Sequence, residues 1–304
     1  MKLFLLILIA PFFLEAQTYS QEIDSLFALK KYDQAIQKIE IYLLKTPKDL
    51  ELLELIGDAY GFKSEWNLAG SYYKILTDTD AANARYFYKY GGVLGKLAKE
   101  GPKLNAISLI SKVKTLFHKA AALDSMYIEA RWALVELYTQ LPGFLGGSYK
   151  KALRYADELE QISALNGYFS KAYIYQESDQ MEDSKLYYTK GLERLEALNY
   201  FNDDSSDISH LQLQLNSIHF LIANGCVLTN SRLKVAQRYI QDYIRLFSSR
   251  DTKPLEDAYL LQSQIFKHQG QLSDALFSVE KALVEAPDFK PALKEKQLIL
   301  LLKP

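Results

Sequence analysis

The chain has 304 residues, which is long enough for one elongated domain or two compact ones. Hydrophobic residues make up 49% of it and charged residues 24%, and the low numbers of glycine (14) and proline (8) favour helices over strands and turns. The formal net charge of −1 gives no electrostatic basis for binding nucleic acid or an anionic membrane, so we expect neither as a partner.

The first predicted element is a secretory signal peptide over residues 1–16. Lys2 precedes the apolar run Leu3–Leu14, and Ala16 supplies the small residue after which cleavage would occur. The run is shorter than the roughly 20 residues that cross a bilayer, so we expect no integral membrane segment, although an uncleaved anchor is the alternative. The single cysteine, Cys226, allows no intramolecular disulfide. Export without disulfides predicts a periplasmic or secreted protein of a bacterial cell envelope.

The mature part of the chain repeats at 34 residues. Ala35 and Ala69 are 34 positions apart, and so are Gly57 and Gly91. Near the C-terminus the segment Gly270–Ala275 has the same local pattern. Such a period indicates an array of stacked units, each too small to bury its apolar surface alone.

Each repeat is predicted to be a pair of helices. The first helix of one pair carries an apolar stripe at intervals of three and four residues: Leu52, Leu53, Ile56 and Tyr60. The missing side chain of Gly57 would let the paired helices approach each other closely. Because proline cannot continue a helix, Pro47 and Pro287 are expected to mark the ends of two pairs.

These residues resemble the signature of the tetratricopeptide-repeat (TPR) family. The signature stands here as Gly57, Tyr60, Ala69, Tyr73 and Leu76, and again as Ala35, Ile39, Tyr42 and Pro47. The resemblance implies an all-α, right-handed α-solenoid of stacked helix hairpins. It implies about seven TPR-like helix pairs over residues 17–287, some of them degenerate. Residues 288–304 are predicted to form a capping helix, and the many apolar residues of this helix make a dimer contact the alternative. An irregular helical bundle is the alternative.

Three insertions interrupt the repeat, near residues 96–112, 141–148 and 199–207. The third is polar and acidic and separates two units. Insertions into repeats usually form loops on one edge of the array, often the functional edge. We therefore expect loops at all three places.

The second insertion contains the most distinctive short motif, Pro142-Gly143-Phe144-Leu145-Gly146-Gly147-Ser148. One interpretation is a tight turn in which glycines adopt positive φ and Ser148 caps the next helix. The other is a loop whose backbone amides and lysines hold a small anionic or amphiphilic ligand. Its candidate residues are Gly143, Gly146, Gly147, Ser148, Lys150 and Lys151. The loop also resembles one in TPR proteins associated with tripartite periplasmic transporters, which implies a role in solute uptake.

The sequence lacks the patterns that would indicate catalysis or a bound transition metal. Its four histidines are scattered, and no H-E-x-x-H, C-x-x-C or H-x-x-x-H pattern occurs. Cys226 lies in an apolar helical stretch and is expected to be buried. We therefore predict a protein that is not an enzyme, with no catalytic residues, no metal site and no cofactor.

In the TPR family the first helix of each pair lines the concave groove. Carried onto this sequence, the resemblance implies a partner-binding groove lined by exposed aromatic and charged side chains, a mixture typical of recognition surfaces. The candidates are Glu51, Glu54, Asp58, Phe62, Arg85, Tyr88, Lys96, Glu129, Trp132, Glu136, Phe169, Tyr173, Leu260, Gln264 and Lys267. The predicted function is a non-catalytic exported scaffold or adaptor that binds a polypeptide or an envelope protein partner. The alternative is an accessory component of periplasmic solute uptake.

Overall fold

A computed structural model of the chain describes residues 21–198 and 216–302, apart from the side chains of residues 103 and 104. These residues form α-helices joined by turns and one 3₁₀ turn, with no strand among them, so the predicted all-α class is confirmed. The predicted signal peptide and the acidic segment 199–207 lie outside the described residues. The chain divides into two compact units, one ending at Leu123 and one beginning at Asp124.

The N-terminal unit contains six helices within its described residues. They are α1 (residues 21–28), α2 (Tyr32–Lys45), α3 (Leu50–Phe62), α4 (Trp66–Thr79), α5 (Ala84–Glu100) and α6 (Lys103–Leu123). From α2 onward, each helix packs against the next along the chain. Their buried apolar side chains form two clusters, one centred on Ile39 and Ile56 and the other on Tyr73 and Leu76. The apolar stripe predicted for α3 therefore lies in the core.

Local chemistry fixes where these helices begin and end. The α2 helix ends at Lys45, and Pro47 lies in the following turn, as predicted. The Asp49 carboxylate then accepts hydrogen bonds from the backbone N–H groups of Glu51 and Leu52 at 3.0 and 3.1 Å. An acceptor at this position satisfies N–H groups that have no partner inside the helix, so α3 begins at Leu50.

The C-terminal unit continues with helix pairs. Its helices are α7 (Ile128–Gln140), α8 (Tyr149–Ile162), α9 (Ala164–Glu177), α10 (Met181–Ala197), α11 (Ser217–Leu228), α12 (Leu233–Leu246), α13 (Leu255–His268), α14 (Leu272–Glu285) and α15 (Lys290–Leu302). A short 3₁₀ turn, Gly143–Leu145, lies between α7 and α8. The first helices of successive pairs, α7, α9, α11 and α13, also touch one another in that order. We call the surface of these four helices the first-helix face of the C-terminal unit.

One turn geometry recurs inside five of the helix pairs. In each, a residue with positive φ precedes a backbone N–H that donates to the carbonyl five positions earlier, which is the Schellman pattern that ends a helix. The residues with positive φ are Lys30, Ser64, Asp179, Asn230 and Gly270. The matching bonds run from Lys31 to Leu26, Glu65 to Tyr60, Gln180 to Tyr175, Ser231 to Cys226, and Gln271 to Phe266. The repeat is therefore visible in the backbone itself.

Gly57 has the close contact predicted for it, and Gly91, 34 residues later, has a contact of the same kind. A Cβ atom on Gly57 would lie 3.0 Å from the ring of Tyr73, and one on Gly91 would lie 2.6 Å from the ring of Phe117. Both rings belong to the second helix of the same pair. Glycine at these positions therefore lets an aromatic side chain fill the space between the paired helices.

The expectation of a loop near residues 96–112 is wrong. The helices α5 and α6 are 17 and 21 residues long, and only residues 101 and 102 separate them. The added residues therefore lengthen two neighbouring helices. This requires no extra connection, because backbone N–H and C=O groups inside a helix satisfy one another.

The last helix packs on the final pair and leaves part of its surface uncovered. Ala292 and Ile299 of α15 are buried against Ala275 and Val279 of α14, whereas Leu301 is 82% exposed. Among the helices of residues 21–198 and 216–302, none combines the length and the apolar character needed to cross a bilayer.

Candidate functional site

In the N-terminal unit, predicted groove residues form an ion-pair cluster with one another. The Glu54 carboxylate on α3 contacts Arg85 Nη2 at 2.7 Å and Lys89 Nζ at 2.6 Å, both on α5. Lys89 also contacts Asp58 Oδ2 at 2.6 Å, and the Tyr73 hydroxyl donates to Asp58 Oδ1 at 2.6 Å. Glu54 and Asp58 are buried, so their charges are neutralised within the unit.

The two aromatic candidates of this unit take part in packing between helices. The ring of Phe62 stacks on Tyr32 at a centroid distance of 5.1 Å and meets the edge of Phe27 at 5.6 Å. Tyr88 lies 6.1 Å from the ring of Phe117, centroid to centroid. Both side chains are partly buried, and each has aromatic neighbours in its own unit.

In the C-terminal unit, the expectation that the candidate aromatics are exposed is wrong. Trp132 is 2% exposed, Phe169 is fully buried and Tyr173 is 5% exposed. The Trp132 indole N–H donates to the buried amide oxygen of Asn166 at 2.7 Å, and this bond fixes the ring inside the unit. A Cβ atom on Gly191 would lie 3.0 Å from the ring of Phe169, so that ring fills the space left by the glycine.

The connection between α12 and α13 covers part of the first-helix face. Residues 247–254, called the strap below, contain seven partly buried residues, with Arg250 as the exposed one. The Thr252 hydroxyl donates to Glu136 Oε1 on α7 at 3.0 Å. Lys253 Nζ lies 3.5 Å from Glu177 Oε1 on α9 and 6.0 Å from the centroid of the Tyr173 ring. Two successive strap residues therefore contact two different first helices.

Hydrogen bonds within the neighbouring chain hold the strap in shape. The Asp251 carboxylate accepts from the Ser248 backbone N–H at 2.8 Å and from the Asn216 side-chain amide at 3.1 Å. The Tyr243 hydroxyl donates to the backbone carbonyl of Lys253. These bonds lie at the start of α11 and on α12, so they fix the strap at the edge of the face that Thr252 and Lys253 contact.

A small cavity remains where the strap meets the helices. Its volume is about 20 Å³, which is room for roughly one water molecule. It is lined by Trp132, Glu136, Gln140, Tyr173, Ser217, Phe220, Leu221, Thr252 and Lys253. The Tyr173 hydroxyl accepts a hydrogen bond from the Gln140 amide at 3.0 Å, and burial raises the pKa of this phenol well above its usual range. Tyr173 is therefore protonated and acts as a hydrogen-bonding group.

Sequence reasoning missed Lys89, Glu177 and the strap. Lys89 follows Arg85 by four positions on α5, so it lies on the same face of the helix. The strap could have been found from the number of residues between Ala236 and Ala275, which are buried alanines of successive second helices. They are 39 residues apart, five more than the repeat length.

The glycine-rich loop before α8 is the tight turn of the first interpretation. Gly146 has a φ of 87°, and the Ser148 hydroxyl accepts from the Lys151 backbone N–H at 3.3 Å. The backbone N–H of Gly147 donates to the Pro142 carbonyl at 3.1 Å, and that of Ser148 donates to the Tyr138 carbonyl at 2.8 Å. These amides, which the second interpretation assigned to a ligand, therefore already have partners in the chain.

The three remaining candidate residues of this loop, Gly143, Lys150 and Lys151, lie at its edges. The Lys151 ammonium lies 5.3 Å from the centroid of the Tyr138 ring, and Lys150 is exposed. Gly143 is also exposed and begins the 3₁₀ turn. The ammonium groups of the two lysines are the cations nearest to this turn in sequence.

The cysteine of the C-terminal unit lies in its packed interior. Cys226 is buried, as predicted, and burial raises the pKa of its thiol to about 12. A thiol in this state is a poor nucleophile, because the thiolate is the reactive form. Over the described ranges 21–198 and 216–302, no three His, Cys, Asp or Glu side chains are grouped so that they could hold a metal ion.

The sequence matches no protein-family model, and no curated protein is significantly similar to it. Solved structures are similar in fold. A tetratricopeptide repeat protein from Parabacteroides merdae aligns over 93% of this chain and 99% of its own, with a TM-score of 0.53 and 13% identity. A thermophilic TPR protein from Thermus thermophilus aligns over 65% of this chain and 95% of its own, with a TM-score of 0.50 and 16% identity.

The Cut9–Hcn1 structure, described as an APC/C hetero-tetramer, aligns over 93% of this chain and 49% of its own, with a TM-score of 0.56 and 12% identity. At such identities the likeness concerns the fold. The chain therefore has the fold of TPR proteins, as the resemblance of its repeats predicted. The narrower likeness to TPR proteins associated with tripartite transporters stays a prediction.

Proposed function

We propose that this protein is a non-catalytic scaffold or adaptor that binds a polypeptide partner through the first-helix face of its C-terminal unit. The observation that carries the proposal is the strap itself. A stretch of eight residues crosses this face, and its side chains bond to Glu136 and Glu177 on two successive first helices. A surface that holds one segment of polypeptide through side-chain contacts is suited to holding another.

The chemistry of the face supports recognition over catalysis. Glu136 and Gln140 offer hydrogen-bonding groups on this face, above the buried rings of Trp132 and Tyr173 that hold them in place. The phenol of Tyr173 and the thiol of Cys226 are both kept protonated by burial, so neither is an activated nucleophile or base at neutral pH. The proposed role therefore involves no bond making or breaking.

The backbone of the strap changes direction as it meets the face. The Asp251 N–H donates to the Ser248 carbonyl at 3.1 Å, which closes a turn, and residues 252 and 253 lie in a bend before Pro254. The strap is therefore a short non-helical segment that contacts the face through its side chains. The proposed partner segment is likewise a short non-helical stretch of polypeptide.

A site-specific crosslink tests this proposal in the native host. A photoreactive amino acid at Gln140, which is exposed beside the strap, should form an adduct with a defined polypeptide. The control places the same amino acid at Lys185, which is exposed on the second helix α10. Equal adducts at both positions, or none at Gln140, would contradict binding at the first-helix face.

We further propose that the protein is exported to the periplasm or secreted. The support is the sequence of residues 1–16, with one lysine, an apolar run and a small residue at the expected cleavage site. In that compartment the partner would be another envelope protein or an exported polypeptide.

The alternative, an accessory role in solute uptake, rests on the loop that contains Gly143 and Lys150. It is less well supported, because backbone amides of that loop are engaged with the chain. Small carboxylates provide its test. A rise in melting temperature on adding them, abolished by the double substitution Lys150→Glu and Lys151→Glu, would favour uptake. No rise in the unsubstituted protein would count against it.

A further inference from the structure

The strap and the first-helix face are complementary in charge. The face presents the carboxylates of Glu136 and Glu177, and the strap presents the hydroxyl of Thr252 and the ammonium of Lys253 to them. Glu136 is 116 positions and Glu177 is 76 positions from its strap partner, so the contacts are tertiary. The match therefore depends on the fold bringing two glutamates on separate helices to one threonine and one lysine of the strap.

The strap is longer than the connection requires. It joins α12 to α13 with eight residues, whereas Ser163 alone joins α8 to α9 and four residues join α14 to α15. All three connections lead from one helix pair to the next element. Within this longer connection, Thr252 and Lys253 are the residues whose side chains bond to α7 and α9.

The contacts of the strap suit reversible binding. The side chains of Lys253 and Glu177 remain 31% and 37% exposed, and ion pairs in contact with solvent are weak. The cavity beneath the strap has a volume of about 20 Å³, so the fit is not complete. The bonds of Asp251 to Asn216 and of Tyr243 to the Lys253 carbonyl hold the strap at the edge of the face, so release concerns the side chains of Thr252 and Lys253 that reach α7 and α9.

We propose that the strap occupies the binding site of the partner. The same face would bind a non-helical segment in which a hydroxyl residue is followed by lysine or arginine, and such a partner would displace the strap. This inference rests on the proposed function and specifies the partner's chemistry and the regulation of its site. The strap then holds the site closed until a segment of matching charge competes with it.

The probe for this inference is a fluorescent peptide with the sequence of residues 246–255, Leu-Phe-Ser-Ser-Arg-Asp-Thr-Lys-Pro-Leu. It is titrated into the full chain and into the loosened variant Thr252→Ala/Lys253→Ala. A tethered segment competes at a local concentration on the order of millimolar, so the loosened variant should bind the peptide at least tenfold more tightly. Equal affinity for both proteins, or binding to neither, would overturn the proposal.

Two matched controls test the charge rule. A peptide in which the lysine is replaced by glutamate should not bind the loosened variant, because it would face the Glu177 carboxylate. Adding Glu177→Gln to the loosened variant should weaken binding of the original peptide by up to about fivefold, because an ion pair in contact with solvent is weak. If the glutamate peptide binds equally well, the proposed chemistry of the partner is wrong.

A second measurement reports strap release without any peptide. In a Trp66→Phe background, Trp132 beneath the strap is the remaining tryptophan. Acrylamide should quench Trp132 more strongly in the loosened variant, and the peptide should restore its protection. Unchanged quenching in a variant that keeps its helical circular dichroism would contradict release. If that variant loses helicity, the milder pair Thr252→Val/Lys253→Gln is tested in the same way, with the same outcome deciding.

The peptide titration and the crosslink at Gln140 fail independently. If a polypeptide is captured at Gln140 but the peptide does not bind, the adaptor function is supported and the strap inference is wrong. Peptide binding without any captured polypeptide would support the strap as a displaceable segment while removing support for an adaptor in the host.

Discussion

Gly91 and Gly92 are neighbours on α5, yet only Gly91 faces another helix. A Cβ atom on Gly91 would lie 2.6 Å from the ring of Phe117, whereas one on Gly92 would have nothing within 4 Å. Gly92→Ala should raise the free energy of unfolding by about 0.5–1 kcal/mol, because alanine favours the helix. Gly91→Ala should lower it by about 1–3 kcal/mol through overpacking.

Urea unfolding followed by circular dichroism measures both variants. The pair is matched, since the same substitution is made on the same helix at adjacent positions. Stabilisation by both alanines would mean that α5 and α6 do not approach as closely as the structure shows.

His219 makes stability depend on pH. It is buried on α11, and burial lowers its pKa, although the nearby carboxylates of Asp242 and Asp251 oppose this and Arg245 adds to it. As the pH falls below about 6.5, the unfolded chain gains a proton at His219 that the folded chain does not, so stability falls. His219→Phe should remove this part of the pH dependence.

The measurement is the urea midpoint of both proteins at pH 7 and at pH 5. The midpoint of the unsubstituted protein should fall more between these values than that of the variant. A parallel fall in the two proteins would show that other groups carry the acid sensitivity.

At the residue scale, the sequence predicted the positions whose chemistry is local. The close approach at Gly57 and the cap at Ser148 were predicted from residue size and from side-chain capacity for hydrogen bonds, and the structure confirms both. The exposure of Trp132 and Phe169 could not be predicted, because an aromatic at helical spacing suits either a groove or a core. Trp132 on α7 is bonded to Asn166 on α9, and Phe169 on α9 fills the space beside Gly191 on α10, so their burial depends on residues of other helices.

At the scale of elements, the contact between α3 and α5 depends on Lys89. Its side chain is 14% exposed and lies 2.6 Å from carboxylate oxygens of both Glu54 and Asp58. Lys89→Met would leave two buried carboxylates without this cation, so the free energy of unfolding should fall by about 3 kcal/mol. Arg85→Met is the matched control: the Arg85 side chain is 57% exposed, so its loss should cost less than about 1 kcal/mol.

The two variants can be compared by urea unfolding at low and at moderate salt. The cost of Arg85→Met should shrink as salt screens the exposed pair, and the cost of Lys89→Met should persist. Equal costs for the two substitutions would show that burial does not govern this cluster.

Helix pairs were predictable from a 34-residue period, but their lengths and connections were not. The sequence indicated added residues near 96–112, yet a count of residues does not distinguish a loop from longer helices such as α5 and α6. The strap was overlooked although Ala236 and Ala275 are 39 positions apart. Its contacts with Glu136 and Glu177 are tertiary, and no local pattern encodes them.

At the scale of the whole molecule, the prediction of export is based on the sequence of residues 1–16 alone. Protein purified from the envelope of its native host should begin at Gln17, because cleavage is expected after Ala16. Intact-mass measurement and N-terminal sequencing decide this. A mature chain that still begins at Met1 would contradict cleavage and would favour the uncleaved anchor.

The fold was the most predictable property of the whole chain, and the partner was the least. Repeat spacing, small residues such as Gly57 and terminating prolines such as Pro47 all indicate the same helical architecture, and such agreement between levels specifies a fold. A binding surface requires no comparable agreement along the sequence, since it is assembled from single residues on separate helices. The division at Leu123 is likewise a property of packing that the 34-residue period does not mark.

An occupant tethered at residues 246 and 255 also limits how fast a partner can arrive. In stopped-flow mixing, the observed rate of peptide binding to the unsubstituted chain should rise with peptide concentration. It should then level off at the rate at which Thr252 and Lys253 dissociate from the face. The rate for the loosened variant should keep rising in proportion to concentration. The height of that plateau would measure the lifetime of the closed form directly.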